Sequence, residues 1–510
     1  MHSVLLIPEL RQHILHLVDR KSLRACVFVC DAWKADALHA YWEIVHDIET
    51  VARALGAVRK RDTGDVMVFD SLPNLAAWER FDTLYSRAVR ELHVDLTEDN
   101  FHLLQTIGGT RPASFKLFPK LRRLYVSEDG LLSPTDDFAT LVLLMNPNVE
   151  HFDWFEHPLR FRSASIWKTI AKQMSHLTSL SIWFEHDIDK EMSRDIANLC
   201  TKLPALVKAD LPTGNDQCDW SNIFGAVAEH CQSLQSLRCG SVCVFQPSHE
   251  RIPFPSLTHL DLPVCTVEAL TLLLETHPMP SLRILEVDID GDHTVTSAEC
   301  LRLFGLIGSL PQITELSLYY YMEASFGFND FRSLLQAETL SRLYLGSVTV
   351  SMTDVELFSI GRSLPCLESL ELDACPDEVP DTMPTLRGLI DLAKHALKLR
   401  HLMVLISPVF HPSDSDDGAP DALKLDTLSR FQRLEFLHIG QSRLDPKWSS
   451  VVVCVLDQIL PVGCKFELWE TPWEVRDDMV RRSDEEWGKV GFALRHRGVV
   501  KVSLPKDGSL

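Results

Sequence analysis

The sequence predicts an α/β repeat protein, with parallel strands on one face and helices on the other, preceded by a small helical domain. Three observations carry that prediction. A pattern of apolar-x-x-apolar-x-apolar recurs thirteen times between Val89 and Ile439. Segments between successive copies space their apolar residues as a helix does. Prolines stand just ahead of many copies, at Pro119, Pro147, Pro204, Pro255, Pro280, Pro311 and Pro365, where proline stops a helix and sets an extended approach.

Leu367/Leu370/Leu372 shows the pattern most cleanly; the series runs from Val89/Leu92/Val94 to Leu434/Leu437/Ile439. Starts are 23 to 35 residues apart and average about 29, around the leucine-rich-repeat period. One unit cannot bury its own apolar edge, but stacked units bury a continuous core. The last two anchors of each copy are two apart, so they leave a strand on the same side while their neighbours point the other way. The expected fold is therefore a leucine-rich-repeat solenoid over 89–470, strands concave and helices convex. Residues 1–45 form the helical domain, 46–88 a helical linker and N-terminal cap, and 471–510 a C-terminal cap.

The chain of 510 residues is 45% hydrophobic, long for one globular core but not for a stack that grows along one axis. Its net charge of -21 repels phosphate backbones and anionic membranes, so no nucleic acid and no membrane partner is expected, and a basic protein partner is. Thirteen scattered cysteines, many in apolar repeat slots, suit a reduced cytoplasmic or nuclear setting. The apolar runs at Leu141–Met145 and Val451–Leu456 are too short to span a bilayer, and Val4–Ile7 before Pro8 is no secretory signal.

Pro8 suits the first turn of a helix carrying Leu10, Ile14, Leu17 and Val18 on one face. Ser22 is placed to cap a second, with Leu23, Val27 and Cys30 on a face, and Trp33, Ala37, Leu38, Tyr41 and Trp42 belong to a third. Three such short helices hold more apolar surface than they can hide, so part of it meets the repeats or another chain. The run Ile7-Pro8-Glu9-Leu10, Ile14, Leu17, Val18-Asp19, Leu23, Cys26, Val29-Cys30, Trp33 and Leu38 to Trp42 resembles the F-box motif. Ile7 replaces the leading Leu, the loop at Arg20 and Lys21 is short, and Ala32 replaces a basic residue. The resemblance covers about residues 5 to 45. It implies docking on the Skp-type adaptor of a cullin-RING ubiquitin ligase, with Pro8, Leu10, Ile14, Leu17, Leu23, Val29 and Trp33 in the core or facing the adaptor. A plain helical cap on the first repeat is the competing reading.

His46 to Arg61 reads as one amphipathic helix, its Arg59-Lys60-Arg61 end complementing the helix dipole. Trp78, Arg80, Phe81, Tyr85, Arg87, Val89, Arg90 and Leu92 follow, similar to the junction in F-box proteins with leucine-rich repeats that abound in basidiomycete fungi, with Ala88 interposed.

Outer helices are expected at Ile166/Ile170/Met174, Met192/Ile196/Leu199/Leu203, Ile223/Val227/Cys231 and Leu301/Phe304/Ile307/Leu310. Many repeat families place Asn or Cys three residues beyond the third anchor; only Cys265 and Cys375 stand there, so the loops need other hydrogen-bond partners. The third, fifth and seventh positions of each copy face the open surface. They carry ten acids, Glu91, Asp95, Asp153, Asp210, Asp261, Glu286, Asp288, Glu315, Glu371 and Asp373, against the bases Arg123, Lys208, Arg238 and Arg342. The imbalance concentrates from Asp261 to Asp373, with Tyr319 and Tyr344 among the acids, while Tyr125, Phe155 and Trp183 cluster earlier. A basic segment of a target, its stems on the tyrosines, is one reading of the acidic stretch; a solvated face of an acidic protein is the other. No Arg cluster for a phosphorylated target is visible.

Residues 411–420 read as a solvated insertion. Trp448, Val452, Val455 and Ile459 make a helix, Lys465 to Trp469 a last strand, and 471–500 a polar cap. No catalytic motif or cofactor site emerges. Cys239-x-x-x-Cys243 with His249 and His259 is only loosely zinc-like, since Cys239 is itself an anchor. The expected protein is thus not an enzyme but a substrate receptor, or a plain interaction scaffold.

Overall fold

A computed structural model of the chain describes residues 7–61, 67–127, 140–156, 164–184, 188–213, 218, 220–242, 245–246, 251–290, 295–372, 380, 382–408, 429–439, 442–467 and 478–502. It divides into two compact units, Met1–Gly240 and Ser241–Leu510.

The first unit begins with α1 (Pro8–His16), α2 (Arg20–Cys26) and α3 (Asp31–Glu43). Pro8 occupies the first turn of α1, where its missing N–H costs nothing. Asp19, rather than Ser22, caps α2: its carboxylate accepts the N–H groups of Lys21 at 2.9 Å and Ser22 at 3.0 Å, and the Ser22 hydroxyl at 2.6 Å. The helix starts at Arg20, so Ser22 already lies inside it. Leu15, Leu23 and Ala37 form the core of the three helices, with Val18, Val27, Trp33 and Tyr41 packed against it. Arg11 of α1, nearly buried, is ion-paired to Asp36 of α3.

β1 (Ile44–Val45) and α4 (Ile48–Leu55) follow. The helix expected to run to Arg61 stops at Gly56, whose backbone is extended. Beyond it β2 (Val58–Lys60) pairs antiparallel with β3 (Met67–Phe69). The basic triplet therefore complements no helix dipole; Arg59 meets Asp70 at 2.9 Å instead. Glycine lowers the helical tendency and β-branched Val58 favours the strand. In α5 (Leu75–Phe81), capped by Asn74 through the Ala77 N–H at 3.0 Å, Phe81 packs 6.3 Å from the Trp42 ring.

The repeats then deliver β4 (Glu91–Asp95), β5 (Arg123–Ser127), β6 (His151–Glu156), β7 (Ser179–Phe184), β8 (Lys208–Leu211) and β9 (Ser236–Cys239). Each is parallel to its predecessor, and β1 pairs with β4. The middle anchors lie in register, Leu92, Leu124, Phe152, Leu180, Ala209 and Leu237. α6 (Glu98–Thr110), α7 (Ala164–Gln173), α8 (Lys190–Cys200) and α9 (Ser221–His230) occupy connections between strands. The expected helical faces of the last three are buried through Ile166, Ile170, Ile196, Leu199, Ile223 and Val227.

The second unit repeats the plan with β10 (Ser241–Val242), β11 (His259–Cys265), β12 (Ile284–Ile289), β13 (Glu315–Gly327), β14 (Arg342–Ser351), β15 (Ser369–Leu372), β16 (His401–Met403), β17 (Phe436–His438), β18 (Cys464–Glu467) and β19 (Val500–Val502), all parallel in chain order. Its helices are α10 (Val267–Thr276), α11 (Ser297–Gly308), α12 (Phe328–Phe331), α13 (Asp354–Ser363), α14 (Leu386–His395), α15 (Ser449–Ile459) and α16 (Asp478–His496). The expected last strand is followed by another, because residues 500–502 pair with β18 after α16. Trp487, Val490 and Leu494 of α16 are buried, so the segment read as a polar cap carries an apolar stripe of its own. Leu301, expected on the inner face of α11, is 49% exposed; Cys300 and Leu303 turn inward with Phe304 and Ile307.

No anchor of the thirteen triplets is more than 3% exposed. Consecutive N–H groups at the second and third positions of one copy share a carbonyl of the preceding copy, as Arg122 and Arg123 do with Arg90 at 2.8 and 3.0 Å, and Thr314 and Glu315 with Arg283 at 2.8 and 2.9 Å. Helix N-termini are satisfied by Thr or Asp rather than by loop Asn: Thr97, Asp189, Thr266, Thr296, Thr353 and Thr385 each accept a backbone N–H. Thr296 with Glu299 and Thr353 with Glu356 are capping boxes, a signal that stood in the sequence.

Candidate functional site

In each unit the residues between the buried anchors line up across the sheet, because register turns residues about 30 apart in sequence into rows. In the first unit one row is His93, Tyr125, Asp153, Ser181, Asp210 and Arg238. Beside it runs Asp95, Ser127, Phe155 and Trp183. Neighbouring strands are about 4.8 Å apart, so the small Ser127 and Ser181 leave space between larger neighbours. The result is a recess of about 360 Å³ whose lining includes Asp95, Tyr125, Asp153, Phe155 and Trp183.

The walls are held in place. The His93 imidazole stacks on Tyr125 with ring centres 4.4 Å apart, and its Nε2 is 2.9 Å from Glu91 Oε1. The Trp183 indole N–H donates to Ser181 Oγ at 2.8 Å, and the Arg238 guanidinium lies 4.7 Å over the same indole. Ser127 donates its hydroxyl to Asp95. Asp153 makes no hydrogen bond or ion pair among the described residues. Burial pushes its carboxyl above the usual range, against the attraction of Lys208, His151 and His93. Tyr125 is raised as well, by burial and then by Glu91 and Asp153.

In the second unit four of the acids expected to grip a basic segment are engaged within the chain. Glu286 lies 3.3 Å from His259 Nε2, Glu315 is 3.3 Å from Arg342, and Glu371 accepts the Ser369 hydroxyl at 2.6 Å. Asp288 accepts from the hydroxyl of Tyr321 at 3.2 Å. Asp261 stands opposite Glu286 in the ladder. Tyr319 and Tyr344 close over Gly346, where a Cβ would meet Tyr319 Cδ2 at 2.6 Å and overlap the Tyr344 hydroxyl. Asp373 lies outside the described residues, as do Cys375, Cys243, His249, residues 411–420 and Trp469. Sequence reasoning missed Tyr321, which stacks edge-on against Tyr319 with ring centres 5.6 Å apart.

The N-terminal residues divide. Pro8, Leu10, Leu17 and Val29 are exposed, Ile14 and Trp33 half-buried. Leu23 is 7% exposed and belongs to the core of the three helices, because its side of α2 faces Leu15 and Ala37; it has little surface to offer a partner. Phe28, 87% exposed, was missed. It ends α2's turn next to Val29 and had no periodic signal to mark it.

A basic cluster was also invisible in the linear sequence. Arg90, Lys120 and Arg122 line one depression with His176; Arg90, Arg122 and Arg123 line another with His16 and Glu91. Repeat register brings together residues that sequence separates by about 30. Two of them are answered by acids, Arg123 by Glu91 at 3.1 Å and Arg122 by Glu150 at 3.8 Å.

Among the described residues no group of three His, Cys, Asp or Glu is arranged to hold a metal ion, and no helix is long and apolar enough to cross a membrane. Burial pushes the Cys231 thiol up to about 11 and those of Cys300 and Cys464 up to about 12, which leaves them neutral and weakly nucleophilic.

Fold and face together define an α/β repeat protein whose parallel sheet fits a leucine-rich-repeat fold. No family model matches the chain, and no curated protein does. Among solved structures it is similar to one described as "Crystal structure of TLR13-ssRNA13 complex", at 13% identity and a TM-score of 0.30, over 81% of this chain and 61% of that one. The chain thus spans less than two thirds of that neighbour's length.

Proposed function

We propose that the chain is a non-catalytic substrate receptor. Its N-terminal helices dock a Skp-type adaptor, and through it a cullin-RING ubiquitin ligase, while the open face of its repeats holds a target protein in the cytoplasm or nucleus. Catalysis then belongs to the partners, and this chain supplies proximity.

The observation that carries the reading is the apolar surface of the first three helices. Leu17 is 77% exposed, Phe28 87% and Val29 57%, with Ile7 and Leu10 also exposed. A domain of some 40 residues that leaves so many large apolar side chains in water is suited to a partner. The alternative is a scaffold in which these helices only cap the first repeat. What favours it is the seating of α3: Trp42 packs on Tyr85 at 4.5 Å and on Phe81, and β1 pairs with β4.

Co-expression of the full chain with a Skp-type adaptor separates the two. The receptor reading expects a stable complex that Leu17→Asp with Phe28→Asp abolishes, each costing about 2 kcal/mol or more, while thermal unfolding of the repeats is unchanged. Failure of the wild-type chain to retain the adaptor leaves the scaffold reading.

A further inference from the structure

The recess on the open face of the first unit has a chemical requirement that no hydrogen bond or ion pair among the described residues meets. Its carboxylate, Asp153, is half-buried and without a hydrogen-bond or ion-pair partner among the described residues. Buried charge is stable only when paired and hydrogen-bonded, and the cations nearest Asp153 do not offset its burial. The walls are aromatic, and Phe155 is 53% exposed, an unusual amount of apolar ring to leave in water beside a carboxylate. Aromatic faces attract cations and cover alkyl stems. Within the site itself, the Arg238 guanidinium on Trp183 already makes such a contact, which leaves the rest of the recess to a second cation. Asp95 occupies its Ser127 hydroxyl and adds negative charge at the rim.

We propose that this recess binds one basic side chain, lysine or arginine, of a protein partner, with the cationic head on Asp153 and the stem between Tyr125, Phe155 and Trp183. The proposal rests on the reading of the open face as a protein-binding surface, and it moves the contact away from the second unit, where Glu286, Asp288, Glu315 and Glu371 already have partners. Ser127 and Ser181 admit the stem because they are small; Arg238 and Ser181 hold the indole so that little ordering is left to the moment of binding.

The test uses the full chain labelled with 5-fluorotryptophan, the Trp183 fluorine signal being assigned by loss in Trp183→Phe. The probes are Ac-Gly-Lys-Gly-NH2 and Ac-Gly-Arg-Gly-NH2, with Ac-Gly-norleucine-Gly-NH2 as the uncharged control. A cationic probe is expected to titrate the Trp183 signal and the norleucine probe not to; response to only one cationic probe identifies the preferred side chain. Asp153→Asn is expected to weaken binding about tenfold, the scale of one lost charge-assisted hydrogen bond. Glu229→Gln removes the same charge from exposed Glu229 on α9 and is expected to change nothing. Equal response to norleucine, no response to either cation, unchanged binding in Asp153→Asn, or equal loss in Glu229→Gln each overturns the proposal. The assay needs no adaptor, so a silent recess leaves the ligase reading standing, and a missing adaptor complex leaves the recess standing.

Discussion

Two glycines three residues apart in α11 are expected to respond to the same substitution with opposite sign. A Cβ at Gly305 meets nothing within 4 Å, so Gly305→Ala gains the helical preference of alanine, about 0.5 to 1 kcal/mol. A Cβ at Gly308 overlaps the carbonyl oxygen of Ser333, comes within 2.9 Å of its carbon and 3.4 Å of Leu334 Cα. Those atoms belong to the 3₁₀ turn Arg332–Gln336, and backbone cannot rotate aside as a side chain can. Overpacking costs about 1 to 3 kcal/mol, and the rigid obstacle places Gly308→Ala in the upper half of that range, at about 2 to 2.5 kcal/mol. Less the same helical gain, the net loss is about 1 to 2 kcal/mol. Repeat stability is local, so the assay is hydrogen exchange of peptides spanning α11 and the Arg332–Gln336 turn. Opening is expected to become about 2 to 5 times rarer in Gly305→Ala and about 5 to 30 times more frequent in Gly308→Ala. Shifts of the same sign in both variants refute the reasoning, because helix propensity would then outweigh the contact between neighbouring repeats.

Leu316, 1% exposed in the anchor ladder, and Leu301, half exposed on α11, separate burial from mere apolarity. Leu316→Ala is expected to cost about 2 to 5 kcal/mol and Leu301→Ala less than about 1 kcal/mol, read from urea unfolding followed in the second unit; similar losses contradict the assigned face. His277 lies between the Phe245 and Phe254 rings with Nδ1 2.8 Å from the Ile252 carbonyl, and burial lowers its pKa from 6.5. The unfolded chain therefore takes up this proton before the folded chain does. The stability contributed by neutral His277 is present above the ordinary imidazole pKa and is lost as pH falls below it. His277→Gln is expected to lower stability at neutral pH and to flatten its decline between about pH 7 and pH 5; an unaltered slope removes His277 as a contributor.

The repeats were legible because their signal is redundant. Every triplet from Val89/Leu92/Val94 to Leu434/Leu437/Ile439 is buried, and one weak pattern repeated thirteen times outweighs any local ambiguity. Elements that occur once were read less well. The helix drawn through Gly56 to Arg61 failed because a turn and a β2–β3 pairing overrode a continuous apolar period. Ser22 looked like a cap only while the start of α2 was misplaced by three residues. Leu301 fell on the wrong side because Leu301 and Leu303 both fit an apolar stripe, and the packing of α11 selects between them.

Charge was harder still. Counting acids along the open positions singled out Asp261 to Asp373, yet a count cannot tell that Glu315 has Arg342 and Glu286 has His259 while Asp153 has no partner among the described residues. Pairing depends on strand register, and register couples residues about 30 apart. The same geometry assembled Arg90, Lys120, Arg122 and Arg123 into a cluster with no linear trace.

By itself the sequence determined that the chain builds a stack of strand-and-helix units behind three apolar helices, since periodic burial is a property of local residue order. Only the tertiary structure decided which polar groups answer one another, because electrostatic pairing depends on distance in space and is screened beyond about 10 Å in salt water.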